Sequence, residues 1–227
     1  NIWKSHNQYI YQESFIHIGM VWKQIVWRIF LNRRKPITVS DKFAYAMTKF
    51  FRFVADTFFA KRYGHRAVVL ETVAGVPGMV AGMLLHFKSL RKMKMGYGPD
   101  IREMLAEAEN ERMHLMFFIA IAKPNWFERL LVLFAQGVFM VFYFFLYIIS
   151  YRTAHRMIAY FEEEAVRSYT DYLYLVENGL VENVPAPKLA IEYYKMKKTA
   201  RLSDLIKKVR ADEEHHSKVN HKYGDKK

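Results

Sequence analysis

The chain has 227 residues, no cysteine and a formal net charge of +13. That length suits one domain with a full core, and the missing thiols exclude a disulfide scaffold, a thiolate metal site and a cysteine nucleophile together. Any metal must therefore sit on histidines and carboxylates.

The charge is unevenly placed. Residues 1–66 carry twelve Lys and Arg against three Asp and Glu, and the segment after Pro187 is again basic. Such a balance points to a polyanionic partner. The basic residues alternate with Phe, Trp and Ile rather than with Ser, Gly or Asn, which favours an anionic membrane surface and no nucleic acid. The first residue is Asn, so the start of the chain says nothing of its destination. No internal repeat and no Gly/Ser-rich linker divides it.

In chain order, residues 1–40 read as a basic arm ending in NRRKPITVSD, where Pro36 stops any helix and Ser40 or Asp41 can cap the next. Helical spacing predominates from there, so residues 41–227 read as one all-α domain. The predicted helices cover residues 41–62, 64–90, 99–122, 125–150, 152–178 and 200–222, separated by MGYGPD, AKPN, SYR and VENVPAP. The first has an apolar stripe of Phe43, Met47, Phe50, Val54 and Phe58, flanked by Lys42, Lys49, Arg52, Lys61 and Arg62. That is the pattern of a helix lying in the headgroup plane. The fourth holds LLVLFAQGVFMVFYFFLYIIS, long enough to span a hydrocarbon core of about 30 Å. It lacks an equally clean returning span, because the second helix carries Glu71 inside its apolar run, and a carboxylate facing lipid costs about 2.5–3.5 kcal/mol or more. Monotopic attachment through the first and fourth helices is the expectation.

Helical phase sorts the carboxylates. In the last helix Leu202, Leu205, Ile206 and Val209 mark the buried face. His216 of RADEEHH returns to within about 20° of Val209 and Glu213 to within about 40°, whereas Glu214 and His215 leave the stripe. Asp212 borders the face, and its pairing with His215 is disfavoured by phase. NERMHL repeats the Glu-x-x-His spacing with Glu111 and His114, on a helix whose buried positions include Met104, Ala108, Leu115 and Phe118. In EEEAV, Glu162 joins the stripe Ile158, Ala165, Tyr169, Leu173 and Val176, while Glu163 and Glu164 tend to the flanks. Glu71 completes the set. One Glu from each of two helices and a Glu-x-x-His from each of two others is the donor set of a ferritin-like four-helix bundle with a di-metal centre. Four carboxylates and two imidazoles suit iron or manganese.

At LETVAGVPGMV, NERMHL, EEEAV and RADEEHH the sequence resembles the alternative oxidases, the cyanide-insensitive quinol oxidases of mitochondria, from about residue 41 to the end. VPGMV and NERMHL look like the mitochondrial rather than the plastid type. The resemblance implies a non-electrogenic enzyme with a di-iron centre that takes electrons from ubiquinol and reduces O2 to water. It would be a homodimer held monotopically on the matrix side of the mitochondrial inner membrane. It implies iron ligands at Glu71, Glu111, His114, Glu162, Glu213 and His216, and a redox tyrosine at Tyr169. Arg66, Leu70 and Ala165 would line the quinol pocket, and Asn110, His155, Asp212 and Tyr193 would orient ligands. His86, Arg91 and Arg112 would lie at the dimer interface, with the arm embracing the partner. With no cysteine, thiol-linked control is ruled out. The competing readings are a di-iron lipid hydroxylase or desaturase and a non-catalytic iron-storage or membrane-surface protein.

Overall fold

The computed structural model describes residues 34–59 and 63–226. The part of the arm before residue 34 therefore lies outside the described residues, and the compact unit analysed below begins at Ile37. The α-helices are α1 (Val39–Phe59), α2 (Tyr63–Lys92), α3 (Gly98–Ala122), α4 (Trp126–Ile149), α5 (Tyr151–Glu177), α6 (Lys188–Tyr194) and α7 (Leu202–Asp225). No strand occurs among the described residues. The most extensive helix pairings are α2 with α3 and α5 with α7, which form a four-helix bundle; α1 packs mainly on α5, and α4 on α2 and α5.

Helix starts follow local chemistry. Helix α1 begins two residues ahead of expectation because Thr38, rather than Ser40 or Asp41, is the cap: Asp41 N donates to Thr38 Oγ1 and Thr38 N to Asp41 Oδ2, each at 3.1 Å. Asp41 also pairs with buried Arg156 of α5 at 2.8 Å. Burial pushes the Asp41 carboxyl up, but the Thr38 bonds and Arg156 outweigh it and hold it below its ordinary range. Asn125 and Glu128 form a reciprocal capping box at α4, both bonds at 2.9 Å. Only Ser150 separates α4 from α5, and it caps α5.

Glycines allow the closest approach. A Cβ on Gly78 would overlap the carbonyl oxygen of Met104 and lie 3.0 Å from Ala108, and one on Gly82 would lie 2.8 Å from Leu105. Helix α2 therefore lies backbone to backbone on α3. Pro77 lies within α2 and withdraws one helical donor. Close by, Gln136 of α4 donates to the Thr72 carbonyl at 3.3 Å.

Three expectations need correction. The break between residues 178 and 200 contains α6, too short to show a period. Arg52 and Lys49 do not merely ring a lipid-facing stripe: both turn inward to Glu164, which is buried rather than flanking. A carboxylate buried at that interface requires such partners. Residues 67–92 also form a helix long and apolar enough to cross a membrane, alongside α4, although half of that stretch is covered by protein.

Gly78→Ala is expected to destabilise the fold by about 1–3 kcal/mol, because overpacking against a fixed backbone outweighs the helical gain of alanine. A Cβ on Gly137 of α4 meets nothing within 4 Å, so Gly137→Ala should instead stabilise by up to about 1 kcal/mol. Denaturant midpoints in detergent would check both.

Candidate metal centre

The two closely packed helix pairs each bring the same donors inward. Helices α2 and α3 supply Glu71 with Glu111 and His114; α5 and α7 supply Glu162 with Glu213 and His216. All six are buried. Their donor atoms form two overlapping groups, each with all atoms within 4.8 Å of one another: Glu71, Glu111, His114 and Glu213, and Glu111, Glu162, Glu213 and His216. Glu111 and Glu213 belong to both. The structure thus brings all six sequence-predicted donors to one place, while His215 faces solvent.

Both imidazoles aim Nδ1 into the cluster. His114 Nδ1 lies 3.3 Å from Glu71 Oε2, 3.2 Å from Glu213 Oε1 and 3.6 Å from Glu111 Oε2, and His216 Nδ1 lies 2.7 Å from Glu111 Oε1. Burial raises Glu71 and Glu162 to about 7 and lifts Glu213 well above its ordinary value, with neighbouring carboxylates adding to each. Burial pushes Glu111 upward too, but the two imidazoles outweigh it and hold this carboxyl low. In return, carboxylates overcome the burial of the imidazoles and raise His216 to about 9 and His114 well above the usual value.

Glu71 Oε2, both oxygens of Glu111, His114 Nδ1, Glu213 Oε1 and His216 Nδ1 are buried and make no hydrogen bond. Orphaned buried atoms are costly, and here they converge from three helices, α2, α3 and α7. Carboxylate oxygens and imidazole nitrogens crowded together with no satisfying hydrogen bond are what a cationic metal site requires. The residues present fit a metal.

A second layer steadies the first. Asp212 Oδ2 accepts from Asn110 at 3.2 Å and from Tyr194 at 2.6 Å, and lies 3.3 Å from His114 Nε2; the Tyr194 hydroxyl is 3.0 Å from the same nitrogen. Tyr193 accepts from Asn110 at 2.9 Å, so it supports a supporting residue rather than a donor. His155 also acts at one remove: its Nδ1 meets Asn220 Oδ1 at 2.8 Å, and the Asn220 amide donates to Glu107 at 2.8 Å and to the His216 carbonyl at 3.1 Å. Sequence reasoning passes over Tyr194, Glu107 and Asn220. The last two stand one turn from Glu111 and His216, where phase could have found them; burial raises Glu107 to about 8. Tyr194 lies on a helix too short to have a phase.

The Tyr169 hydroxyl donates to Glu71 Oε1 and its ring stacks on Phe118. Burial, then Glu71 and Glu213, raise its phenol well above the ordinary range. Glu71 and Tyr169 line a small cleft together with Ala67, Leu70, Ala165, Ser168 and Tyr172. The side chain of Arg66 lies outside the described residues. His86 and Arg91 are exposed on α2, and exposed Arg112 pairs with Glu109 at 2.6 Å.

Residues 23–225 match the family described as alternative oxidase. The chain belongs to the alternative oxidase family. It is similar to "Ubiquinol oxidase 2, mitochondrial" of Glycine max, 56% identical over 186 residues that make up 82% of this chain and 56% of that protein. It is 55% identical over 190 residues to "Ubiquinol oxidase 1c, mitochondrial" of Arabidopsis thaliana, covering 84% of this chain and 57% of the relative. "Ubiquinol oxidase 2, mitochondrial" of Arabidopsis thaliana is 49% identical over 205 residues, 89% of this chain and 58% of the relative. The chain thus spans less than three-fifths of the length of these alternative oxidases.

Asp212→Ala is expected to weaken ferrous or manganous ion binding about 10–100-fold, the usual effect of removing a ligand-orienting carboxylate. Glu214→Ala, on the exposed side and paired with Lys218, should leave it unchanged. Equilibrium dialysis of the metal-free protein would check both.

Proposed function

We propose that this alternative oxidase family member is a ubiquinol oxidase that binds two iron ions in the buried Glu/His cluster and couples ubiquinol oxidation to the four-electron reduction of O2 to water. One observation carries this reading above others: an otherwise largely apolar cleft is lined by Glu71 and Tyr169, a carboxylate of the donor cluster and the phenol hydrogen-bonded to it. In this reading Glu71, Glu111, His114 and Glu213, and Glu111, Glu162, Glu213 and His216, are the two donor groups that would hold the ions. Bound iron would supply the redox capacity to activate O2.

The chain's own residues organise the rest. Leu70 and Ala165 present an apolar wall that accepts the quinol ring, and Arg66 is positioned in sequence one turn before Leu70 to bind its head group. Tyr169 donates its hydroxyl proton to Glu71 Oε1, leaving Oε2 for metal. Its raised phenol keeps that proton, so an electron leaves Tyr169 together with a proton passed to Glu71. Two quinols supply four electrons and four protons, which balance one O2 against two waters and need no proton pumping. Asp212 and Tyr194 hold His114 by Nε2 and keep its Nδ1 inward.

The outer faces support attachment to a membrane surface, and the mitochondrial names of the relatives support a mitochondrial one; in this reading it is the matrix side of the inner membrane. Phe43, Phe50 and Phe53 on α1 and Trp126, Phe127, Leu130, Leu133, Phe134, Val141, Phe145 and Ile149 on α4 are exposed, and such rows of large apolar side chains mark a membrane or partner surface. Quinol can then enter sideways from lipid. Met79, Met83, Phe87 and Leu90 expose a separate stripe on α2 beside His86 and Arg91, with Leu105 on α3, which supports a homodimer through that face.

Iron-loaded protein is expected to consume O2 with ubiquinol in the presence of cyanide and to form no hydroxylated product. Quinol-independent iron oxidation alone would point to storage, and a hydroxylated lipid to the hydroxylase. Tyr169→Phe should lower kcat at least tenfold with bound iron unchanged; undiminished turnover would remove Tyr169 from the mechanism. Phe53→Glu with Phe134→Glu should weaken binding to anionic vesicles by about tenfold or more, since each Phe contributes about 1.5–3 kcal/mol when buried. Vesicle sedimentation would measure it.

A further inference from the structure

Tyr169 is not the only phenol within hydrogen-bond reach of the donor set. We propose that Tyr194 and Tyr193 form an exit for oxidising equivalents, carrying an electron hole from the His114 imidazole to the protein surface when the centre is oxidised with no quinol in the cleft. This rests on the iron reading above and adds a protective function to it.

The geometry gives each step a carrier and a proton partner. The Tyr194 hydroxyl lies 3.0 Å from His114 Nε2 and donates to Asp212 Oδ2 at 2.6 Å. The Tyr193 ring meets the Tyr194 ring edge to face, with centroids 5.0 Å apart and planes at 86°. Tyr193 is 41% exposed, so the chain of phenols runs from a fully buried ligand to solvent in two residues. Phe117, itself fully buried, packs at 5.7 Å from Tyr193 and 5.8 Å from Tyr194. A phenyl ring is not oxidised under these conditions, so it insulates the pair instead of offering a branch. The carriers are held firmly: α6 sits in a segment closed by Ala186 N donating to the Ala200 carbonyl at 3.0 Å and Leu202 N to the Val184 carbonyl at 2.8 Å.

Tyr169 differs in each respect. It is buried, lines the cleft and bonds Glu71, so a hole there waits for quinol. Tyr194 instead bonds His114 and Asp212 and is not among the residues that line that cleft.

The steps balance. Tyr194 gives one electron to the O2-oxidised iron centre through His114 and its hydroxyl proton to Asp212, leaving a phenoxyl radical. Tyr193 then reduces that radical: an electron crosses between the rings, the proton returns from Asp212 to Tyr194, and the Tyr193 proton leaves to water. A soluble thiol or ascorbate-type reductant finally restores Tyr193 with one electron and one proton.

The test uses iron-loaded full chain exposed to O2 without quinol, with a nitroso spin trap in solution, followed by peptide mass spectrometry. The expected result is an adduct on Tyr193, absent from zinc-loaded protein. Tyr194→Phe should lower the adduct at least fivefold at equal bound iron and hasten self-inactivation, while Tyr194→Trp, which remains oxidisable, should retain it. Because the three proteins are compared at equal iron content, a misfolded variant is recognised by its failure to load. An undiminished adduct in Tyr194→Phe overturns the route, as does its absence from wild-type protein that binds iron and consumes O2. A wild-type chain that binds no iron fails earlier, at the metal reading, and takes this inference with it.

Discussion

Four carboxylates and two imidazoles held out of water within a few ångströms of one another are the constraint on which the rest of this structure depends. Moving a single charge into a protein interior costs several kcal/mol even after relaxation, and here like charges also repel. The protons of the cluster can soften that cost, as the raised Glu71, Glu162 and Glu213 show, but they leave six buried polar atoms without hydrogen bonds. Only added positive charge at the centre satisfies the carboxylate oxygens and the imidazole nitrogens together. Metal binding is then coupled to folding, because the unfolded chain has no such cluster.

The bundle meets this constraint twice over in the same way. Each closely packed helix pair contributes one lone Glu and one Glu-x-x-His, so the site lies on the seam between two equivalent halves. The α2 and α3 backbones approach through Gly78 and Gly82, where a side chain would hold the helices apart and withdraw Glu71 from Glu111. Within the α5 and α7 half, Ser217 of α7 donates to the Ala159 carbonyl of α5 at 3.1 Å, one turn from both Glu162 and Glu213. Outside the seam, Asp212, Asn110, Tyr194 and Asn220 hold the donors by their backs. The donors are thereby held in place by protein contacts that need no ion, as a metal site requires.

How much of this is legible in the chain depends on periodicity. The six donors lie on helices long enough for phase to separate Glu213 from Glu214 and Glu162 from Glu163. Glu107 and Asn220 were equally legible, one turn from known donors. Phase says less about Glu164, because a flank position is buried or exposed according to which helix lies over it, and here α1 arrives with Arg52. It says nothing of Tyr194, whose place is set by closure of the α6 segment. His155 has the right phase, but its partner Asn220 is what links it to the site. The resemblance singles out Tyr193 rather than its neighbour as a ligand-orienting residue, whereas the fold places Tyr194 on His114 and Tyr193 on Asn110.

The outer helices raise the question of whether α4 could cross a bilayer, and its neighbours argue against it. Helix α4 is about 36 Å long at 1.5 Å per residue, which suffices. Its start, however, is a polar capping box at Asn125 and Glu128, and one residue after its end the chain turns into α5. Helix α5 packs beside α4 and carries Arg156, Glu162, Glu163 and Glu164. If α4 stood across the hydrocarbon, α5 would follow it there, together with the Lys49 and Arg52 that neutralise Glu164. A lipid-facing charge is expensive at that depth, whereas a bundle lying with the α1 and α4 faces against the membrane buries their aromatic rows and leaves each of those ions in protein. The same orientation would let an apolar substrate reach the cleft without leaving lipid, so under the proposed function the property that makes α4 resemble a span is better matched to delivering quinol than to crossing.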